Sequence, residues 1–552
     1  MRSLHRLAPA LLVLAPALLP AQAPTPLDRR VDSVFAAFDH ANTPGCSIGV
    51  DRAGTALIRR AYGMANLETG TPFTVSTISE SGSTAKQFVA TALVMLARDG
   101  KLSLDDDVSR WVPEVKGFGK RITIRHVLSH TSGLPDRYTL HEVQGRPAEE
   151  TDHPNSEVLA IVAGMKELNF DPGEDYLYSN TGYVVAVAVI ERVSGKTLQQ
   201  FTEERIFAPL GMTSTRWRED HRSVVPRRAS AYQGSATMGF RNEHPFTRVF
   251  GSGGLLLDLD DYLKWSAAFQ RGEGQWGAIR DSLSAVIKLN DGTAITYGLG
   301  VSTDTWRGVK RISHTGSTGG YRAALYRYPD QQVSVALLCN GANANPGGLA
   351  TSVAAIVLGD ALEPVRPLAI PAIANAAEAL VALTGRYHSP RTEEVMVLVV
   401  RDGNLVDSTD NSVYLPWGDD RYRLRNGTGG LQAIRDGAKL TMRWTTPGAR
   451  PVDYERVRPP DSSPAAIAAL AGTYRATELG ADLTIASKGG KLVIERGWRG
   501  DATLTPLYRD GFALPDGKLL RFTRDSHGKL IGFVLWDGRV RHLRFDRVPA
   551  TR

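Results

Sequence analysis

The clearest chemical signal in the sequence is a serine and a lysine three positions apart, in the S-x-x-K tetrad at residues 83–86. The apolar residues that follow predict a helix that ends near Gly100, so Ser83 stands at its N-terminus. The Ser83 and Lys86 side chains then point the same way, one helical turn apart. A serine hydroxyl becomes a good nucleophile when a base takes its proton. Lysine can be that base if burial or a neighbouring charge lowers its pKa from about 10.4.

A tyrosine and an asparagine, Tyr178 and Asn180, form the second signal, just before a predicted helix over residues 181–193. A tyrosine beside a lysine ammonium can carry phenolate character and relay protons. An amide such as that of Asn180 can hold a substrate carbonyl by hydrogen bonding. Taken alone, this pair is more typical of a packed tyrosine and an asparagine at a helix N-cap. Its interpretation therefore depends on the other motifs.

The third signal lies on a predicted strand, where His314 is followed by Gly316 and Ser317. A glycine there lets a ligand approach the strand backbone closely. The N–H of Ser317 could then bind an oxyanion together with the N–H of Ser83. Each signal is weak alone, since S-x-x-K also occurs at residues 526–529, in a predicted hairpin turn with no helix behind it.

In this order, the motifs S-x-x-K, Y-x-N and H-x-G resemble those of the penicillin-recognising serine hydrolases. That superfamily is similar in fold to the serine β-lactamases and includes class C β-lactamases, D-alanyl-D-alanine carboxypeptidases, D-aminopeptidases and esterases. The resemblance covers roughly residues 27–360. Further stretches that resemble the family are residues 100–106, 124–135, 210–212 and 253–255.

The resemblance implies that Ser83, Lys86 and Tyr178 are the catalytic residues. Ser83 would attack a carbonyl and form an acyl-enzyme, while Lys86 and Tyr178 handle its proton. Tyr178 would pass a proton to the leaving group and then activate the water that releases the acyl group. The resemblance implies no cofactor and no catalytic metal.

The resemblance also implies how substrate is held. Asn180 would hold its acyl side, His314 and Gly316 would line the opposite wall, and the N–H groups of Ser83 and Ser317 would form the oxyanion hole. Many β-lactamases carry lysine where His314 stands, whereas some D,D-carboxypeptidase-like and D-aminopeptidase-like relatives carry histidine. A histidine with a pKa of about 6.5 is only partly charged at neutral pH, which disfavours an efficient β-lactamase.

The leading hypothesis is a serine hydrolase acting on a small amide or ester, such as a peptide that contains a D-amino acid. A cell-wall-derived peptide is one candidate substrate. An esterase or a weak β-lactamase working at the same site is the alternative. A different class is a non-catalytic cell-envelope binding protein, to which the C-terminal modules described below would give binding surfaces. The sequence leaves the substrate and the oligomeric state open.

Hydrophobic periodicity predicts an α/β (α+β) domain whose sheet comes from the beginning and the end of its chain, with helices between. We predict an antiparallel sheet flanked by helices. The predicted elements are a helix over residues 27–42, strands over 46–50 and 56–62, mainly helices over 84–270, and strands over 309–317, 321–328 and 332–338.

Two proline-rich stretches predict linkers, the first around Pro364, Pro367 and Pro371 and the second at residues 459–464. Each leads into a similar pattern, Leu-Thr-Gly-Arg-Tyr at 383–387 and Leu-Ala-Gly-Thr-Tyr at 470–474, followed by short alternating strands. We predict two small all-β, barrel-like modules, or alternatively one larger barrel built from two halves. The predicted domains are a catalytic domain over 24–362 and β-modules over 374–458 and 465–552.

The N-terminus predicts export. Basic residues precede an apolar stretch over residues 7–19, and Ala21-Gln22-Ala23 fits a signal-peptidase site, so residues 1–23 form a predicted signal peptide. No later stretch is long enough to span a membrane, and we expect a periplasmic or secreted protein.

The charge, histidine and cysteine content indicates which ligands and covalent links the protein could have. The formal charge of +7 is spread along the chain without a basic block, which disfavours nucleic-acid binding. His126 and His130 have the spacing of helical metal ligands, but no glutamate follows His126 as in H-E-x-x-H zinc sites, so no metal is predicted. The two cysteines, Cys46 and Cys339, could form a disulfide or remain free thiols.

Overall fold

The computed structural model describes residues 25–365, 376–418, 420–461, 463–495 and 500–549. The predicted signal peptide lies outside these ranges, as do Pro367 and Pro371 of the first linker and Ser462 of the second. Within the described ranges, no helix combines the length and the apolar character needed to cross a membrane.

A six-stranded antiparallel sheet forms the centre of the N-terminal domain. Its strands are β1 (Cys46–Arg52), β2 (Thr55–Tyr62), β3 (Ser302–Trp306), β4 (Val309–Thr318), β5 (Tyr321–Tyr328) and β6 (Val333–Cys339). Across the sheet they run β3-β4-β5-β6-β1-β2, so β1 pairs with the last strand of the domain. This confirms the predicted sheet built from the beginning and the end of the domain.

The intervening chain is mainly helical, as predicted. Helices α2 to α10 belong to this segment, α1 precedes the sheet, and α11 to α13 follow it. In chain order, the helices of the described residues are α1 (Pro26–Phe35), α2 (Lys86–Arg98), α3 (Ile124–Leu128), α4 (Arg137–Val143), α5 (Asn155–Gly164), α6 (Asn180–Ser194), α7 (Leu198–Thr202), α8 (Ala208–Leu210), α9 (Leu259–Arg271), α10 (Gln275–Leu283), α11 (Pro346–Leu358), α12 (Ala376–Leu383) and α13 (Pro464–Ala469). The first helix ends at Phe35, well before its predicted end at Asn42. The chain turns there, where Phe38 N donates to Phe35 O.

Helices cover both faces of the sheet, which explains why β6 is apolar at nearly every position. Successive side chains of a strand point to opposite faces. Val335 and Leu337 join the buried cluster beneath α1 and α11, whereas Ala336 and Leu338 join the cluster that contains α2 and α9.

The two cysteines occupy paired positions on neighbouring strands. Cys46 of β1 lies directly opposite Cys339 of β6, and a disulfide joins them. Of the two alternatives that the sequence left open, the structure therefore shows the bridge.

Two all-β units follow, as predicted, and they are separate. The first is a closed eight-stranded barrel made of β7 (Gly385–His388), β8 (Val395–Arg401), β9 (Asn404–Asp407), β10 (Ser412–Gly418), β11 (Arg421–Leu424), β12 (Gly430–Asp436), β13 (Lys439–Thr445) and β14 (Val452–Arg456). The second is a nine-stranded sheet made of β15 (Gly472–Ala476), β16 (Ala481–Lys488), β17 (Lys491–Glu495), β18 (Ala502–Thr503), β19 (Thr505–Tyr508), β20 (Gly511–Ala513), β21 (Leu519–Arg524), β22 (Leu530–Asp537) and β23 (Val540–Arg547). A single barrel built from two halves is thus excluded.

The repeated tyrosine motif has the same function in both units. Tyr387 donates to the carbonyl of Leu383 at 2.8 Å, and Tyr474 donates to the carbonyl of Leu470 at 2.6 Å. Both rings are completely buried. Each tyrosine therefore ties the helix that precedes its unit, α12 or α13, to the first strand.

The second β-unit docks tightly on the catalytic domain. Its apolar interior is continuous with the helical core of the N-terminal domain, whereas the first barrel has its own cluster. Asp175 of the catalytic domain pairs with Arg391 of the first unit and with Arg541 of the second. One carboxylate thus holds both units near the segment that carries Tyr178.

Candidate active site

The turn that carries Ser83 precedes helix α2. Residues 82–85 form a 3-10 turn, and α2 begins at Lys86. Ser83 is partly exposed, whereas the residues on either side of it are buried. The turn therefore presents the serine hydroxyl to a cleft while its lysine neighbour enters the interior.

Two glycines let this turn lie against strand β4. Gly82 has a φ of +52°, and a Cβ there would lie 2.5 Å from Ser317 N. A Cβ on Gly316 would lie 2.0 Å from Ser81 O. The close approach expected at Gly316 is thus made by the protein's own backbone, and it brings the main chain of Ser83 next to that of Ser317.

Lys86 is completely buried beneath the serine. Its Nζ donates to Ser83 Oγ at 3.2 Å, to Asn180 Oδ1 at 2.9 Å and to the carbonyl of Ser252. A neutral amine keeps two of these hydrogen bonds and directs its lone pair at the serine hydroxyl.

Burial and nearby charges disfavour the charged form of this amine. Burial lowers the pKa of Lys86 well below its usual value, because a charged amine loses its hydration in the interior. The charges of Arg539 and Arg137 lower that pKa further, and the carboxylate of Asp136 opposes them. The amine is therefore able to accept the Ser83 proton.

Asn180 is oriented by a buried carboxylate that sequence reasoning missed. Asp136 Oδ2 accepts hydrogen bonds from the backbone N of Asn180 at 2.7 Å and from its Nδ2 at 2.9 Å. These bonds fix the amide so that its oxygen faces Lys86. Asp136 also caps α4 by accepting from Tyr138 N at 3.0 Å, and an N-cap aspartate is all that the local sequence indicates.

Tyr178 lies beside Lys86 as an uncharged phenol. The Lys86 Nζ is 4.8 Å from the centre of its ring. Burial raises the pKa of Tyr178, and the neighbouring Ser83 hydroxyl and the Arg539 charge oppose this shift. Among the described residues its hydroxyl has no hydrogen-bond partner of good geometry. His130 packs behind the ring with 4.0 Å between ring centres.

His314 differs in character from a lysine at the same place. Its Nε2 lies 2.9 Å from the Tyr297 hydroxyl and its Nδ1 lies 2.6 Å from the Thr315 carbonyl, so both nitrogens are engaged. Burial, with a contribution from the charge of Lys86, lowers the pKa of His314 to about 4. His314 is therefore neutral at physiological pH, and it offers no fixed positive charge to a ligand.

A loop from the second β-unit completes the cleft, which the sequence did not reveal. The turn between β22 and β23 brings the Arg539 guanidinium to 4.7 Å from the centre of the Tyr178 ring. Asn169 fixes this turn by donating to Arg539 O at 3.1 Å and accepting from Arg541 N at 2.7 Å. Thr139 donates to Asp537 at 2.7 Å.

The cleft itself is a cavity of about 270 Å³. Ser83, Asn180, Ser317, Arg137 and Arg539 line it, together with other polar groups. It is smaller than most ligand pockets of drug-like size, which span about 300–1,000 Å³. Its dimensions suit a small substrate.

One cluster elsewhere has the residue types of a metal site. His141, His153 and Glu157 place potential ligand atoms within 4.8 Å of one another. The two imidazole rings are stacked, with 3.8 Å between centres and 26° between planes. A metal ion lies close to the plane of each coordinating imidazole, and stacked rings do not provide a common point for that. The other two histidines with a metal-like spacing bind different backbone groups. His126 accepts from Thr123 N at the start of α3, and His130 accepts from Ser179 N.

Comparisons with known proteins agree with this architecture. A family model described as Beta-lactamase matches residues 31–358. A D-aminopeptidase from Cereibacter sphaeroides strain KD131 is 28% identical over 473 residues, covering 84% of this chain and 85% of the relative. A D-aminopeptidase from Brucella anthropi is 25% identical over 539 residues, covering 92% and 96%.

Two solved structures show the same fold. The octameric penicillin-binding protein homologue from Pyrococcus abyssi has a TM-score of 0.54 at 23% identity and covers 85% of this chain and 97% of its own. The D-amino acid amidase from Ochrobactrum anthropi SV3, complexed with L-phenylalanine amide, has a TM-score of 0.51 at 22% identity and covers 60% and 98%.

Proposed function

This chain belongs to the Beta-lactamase family and is a serine hydrolase, and we propose that it forms an acyl-enzyme on Ser83 and hydrolyses a small amide of a D-amino acid. The observation that carries the proposal is the buried Lys86 amine, 3.2 Å from the Ser83 hydroxyl and held at a lowered pKa. The relatives named D-aminopeptidase support the choice of substrate class.

In the acylation step, Lys86 Nζ takes the proton of Ser83 as Oγ bonds to the substrate carbonyl carbon. The oxyanion that forms is bound by the N–H groups of Ser83 and Ser317, which the packing of Gly82 and Gly316 brings together. Loss of one such donor typically costs a factor of about 10²–10³ in kcat. The C–N bond then breaks, and the leaving amine receives a proton.

The raised pKa of Tyr178 favours a donor role in that step. A neutral phenol can give its proton to the leaving amine and recover one from the Lys86 ammonium. In deacylation the same path runs in reverse, so that a water molecule loses its proton through Tyr178 to Lys86 as it attacks the ester. Asn180, held by Asp136, positions the acyl group through its amide.

We also propose export to the periplasm or the medium. The basic and apolar N-terminal residues, the Ala21-Gln22-Ala23 pattern and the Cys46–Cys339 disulfide support it, because disulfides persist mainly in oxidising compartments.

Covalent labelling tests the nucleophile directly. We expect a fluorophosphonate probe to form one adduct, which peptide mass spectrometry maps to Ser83, and Ser83→Ala to abolish both the adduct and turnover of D-alanyl p-nitroanilide. Ser526→Ala is the matched control, because Ser526 begins the other S-x-x-K sequence, in an exposed turn. An adduct or full turnover that survives in Ser83→Ala contradicts the proposal.

A substrate panel separates the related activities. We expect D-alanyl p-nitroanilide to be cleaved with a higher kcat/KM than its L-isomer and than nitrocefin, since the neutral His314 gives no charge for a β-lactam carboxylate on the β4 side of the cleft. Efficient nitrocefin hydrolysis would instead identify a β-lactamase, and turnover of p-nitrophenyl esters alone would identify an esterase.

A further inference from the structure

We infer that the substrate carries a carboxylate, which Arg137 and Arg539 bind in the cleft beside Ser83. The inference deepens the proposed function, on which it rests, by naming the charge of the substrate. Neither arginine belongs to the S-x-x-K, Y-x-N or H-x-G motifs.

Arg137 is a buried guanidinium that forms no ion pair with any residue in the described ranges. Its side chain lines the same cavity as Ser83 and is only 3% exposed. Among the described residues, its Nε and Nη1 have no hydrogen-bond partner. The central carbon of its guanidinium lies 4.3 Å from the centre of the Tyr138 ring. A buried charge without a partner is destabilising, so this group is poised for an anion that enters the cavity.

Arg539 lines the same cavity from a turn of the second β-unit. Its backbone is fixed, because its carbonyl accepts from Asn169. Its guanidinium is exposed and has no ion pair among the described residues, and it lies over the Tyr178 ring. The structure thus fixes where the arginine stands and leaves its hydrogen-bond donors free.

Within the described part of the chain, the acidic groups at the cavity form no ion pair with these arginines. Glu149 accepts from the Tyr138 hydroxyl at 2.7 Å and from Gly319 N at 2.8 Å. Glu80, just outside, is paired with Arg218 at 3.0 Å. The carboxylates near the cleft are therefore occupied by other donors.

A carboxylate fits these two groups better than an ammonium does. A planar guanidinium binds a carboxylate through two parallel hydrogen bonds. A substrate ammonium at the same place would meet two like charges. His314 is neutral, and Arg218, which also lines the cavity, is paired with Glu80. Arg137 and Arg539 are therefore the cationic groups of the described lining that have no ion pair.

The carboxylate can belong either to the acyl part of the substrate or to its leaving group, and two substrate pairs distinguish these sources. The acyl pair is N-acetyl-D-glutamyl p-nitroanilide and its D-glutaminyl counterpart, which have nearly the same shape and differ in charge. The leaving-group pair is N-acetyl-D-alanyl-D-alanine and its C-terminal amide. We expect the acid to have the higher kcat/KM in the pair whose carboxylate reaches the arginines, and that pair identifies the source.

Arginine variants test the assignment. In Arg539→Gln and Arg137→Gln we expect the acid-to-neutral ratio of kcat/KM to fall about 10- to 100-fold, which is the effect of losing a hydrogen bond to a charged group. The readout is the ratio of the two kcat/KM values within one variant. Removing either arginine charge also changes the pKa of Lys86, and that change affects both substrates of a pair. Lys529→Gln is the matched control, since it removes a positive charge at the far end of β22, on the same unit.

Binding to Ser83→Ala by calorimetry gives a readout that needs no turnover. The probes are the α-amides of N-acetyl-D-glutamate and N-acetyl-D-glutamine, and also N-acetyl-D-alanine and its amide. Tighter binding of one acid, lost in the Arg539→Gln background, supports the inference. Equal binding within both pairs, or an acid preference that both arginine variants keep, overturns it. If turnover depends on Ser83 but ignores charge, the inference fails and the proposed function stands.

Discussion

Asp136 offers the sharpest test of the proposed base, because it acts on Lys86 through Asn180 without touching substrate. We predict that Asp136→Asn lowers kcat/KM for D-alanyl p-nitroanilide about 10²- to 10⁴-fold at its plateau. In the variant an NH₂ group replaces the Oδ2 that accepts two hydrogen bonds from Asn180. Losing hydrogen bonds to a charged group costs about 1.5–3 kcal/mol each.

The same substitution removes a negative charge from the neighbourhood of Lys86. The path from Nζ to the carboxylate consists of two hydrogen bonds of 2.9 Å each and an amide span of about 2.3 Å, so the charges are at most about 8 Å apart. At an effective dielectric constant of about 20, their attraction is on the order of 2 kcal/mol. Because Asp136 raises the pKa of Lys86, its loss moves the acidic limb of the kcat/KM profile to lower pH.

The assay is kcat/KM from pH 4 to 9, expressed per active site counted with the fluorophosphonate probe. Asp107→Asn is the control, since Asp107 likewise caps a helical turn, by accepting from Ser109 N at 2.9 Å, and is not among the groups that shift the Lys86 pKa. A purely structural role for Asp136 would lower the number of active sites without moving the acidic limb. An unchanged limb, or one displaced to higher pH, refutes Lys86 as the base.

Three further predictions concern the supporting structure. Gly316→Ala places a Cβ 2.0 Å from Ser81 O and should lower kcat about 10²-fold by displacing the turn; wild-type kcat would contradict the packing argument. Replacing Cys46 and Cys339 by alanine should lower the free energy of unfolding by about 2–4 kcal/mol, seen as a lower Tm that no longer responds to reductant. His314 has a pKa of about 4 in the folded protein and about 6.5 unfolded, so the unfolded state binds more protons between these values. The free energy of unfolding should therefore fall by about 3 kcal/mol as pH drops from 6.5 to 4, and urea titrations of His314→Gln should show a correspondingly smaller fall.

The sequence predicted the parts of the site that depend on local structure. Ser83 and Lys86 are neighbours within one turn, so helix periodicity alone brings them together. The α/β class and the two β-units followed from hydrophobic patterning and the repeated tyrosine motif, and both are confirmed. The roles of Tyr178 and Asn180 remain predictions, although the structure places both beside Lys86.

The residues that were missed depend on contacts between distant segments. Asp136 looks like an ordinary helix cap, and the Asp537-Gly538 pair before Arg539 looks like an ordinary hairpin turn. Asn169 lies in the loop between α5 and α6 and looks like an ordinary loop residue, but its side chain holds the Arg539 turn. None of these roles has a local signal, because each depends on a distant segment. Asp136 binds Asn180 of another helix, and the Arg539 turn acts only when the last β-unit docks on the N-terminal domain.

Arg539 connects the charge of the substrate to the strength of the base. In the free protein its positive charge lowers the pKa of Lys86, which favours the neutral amine but makes it a weaker proton acceptor. A substrate carboxylate bound to Arg539 would offset that charge, since a field from an ion pair falls off faster than that from a single ion. The Lys86 amine would then become more basic in the complex, at the stage where the Ser83 proton must be taken. A neutral substrate leaves the Arg539 charge in place, so the charge preference inferred for binding extends to the chemical step.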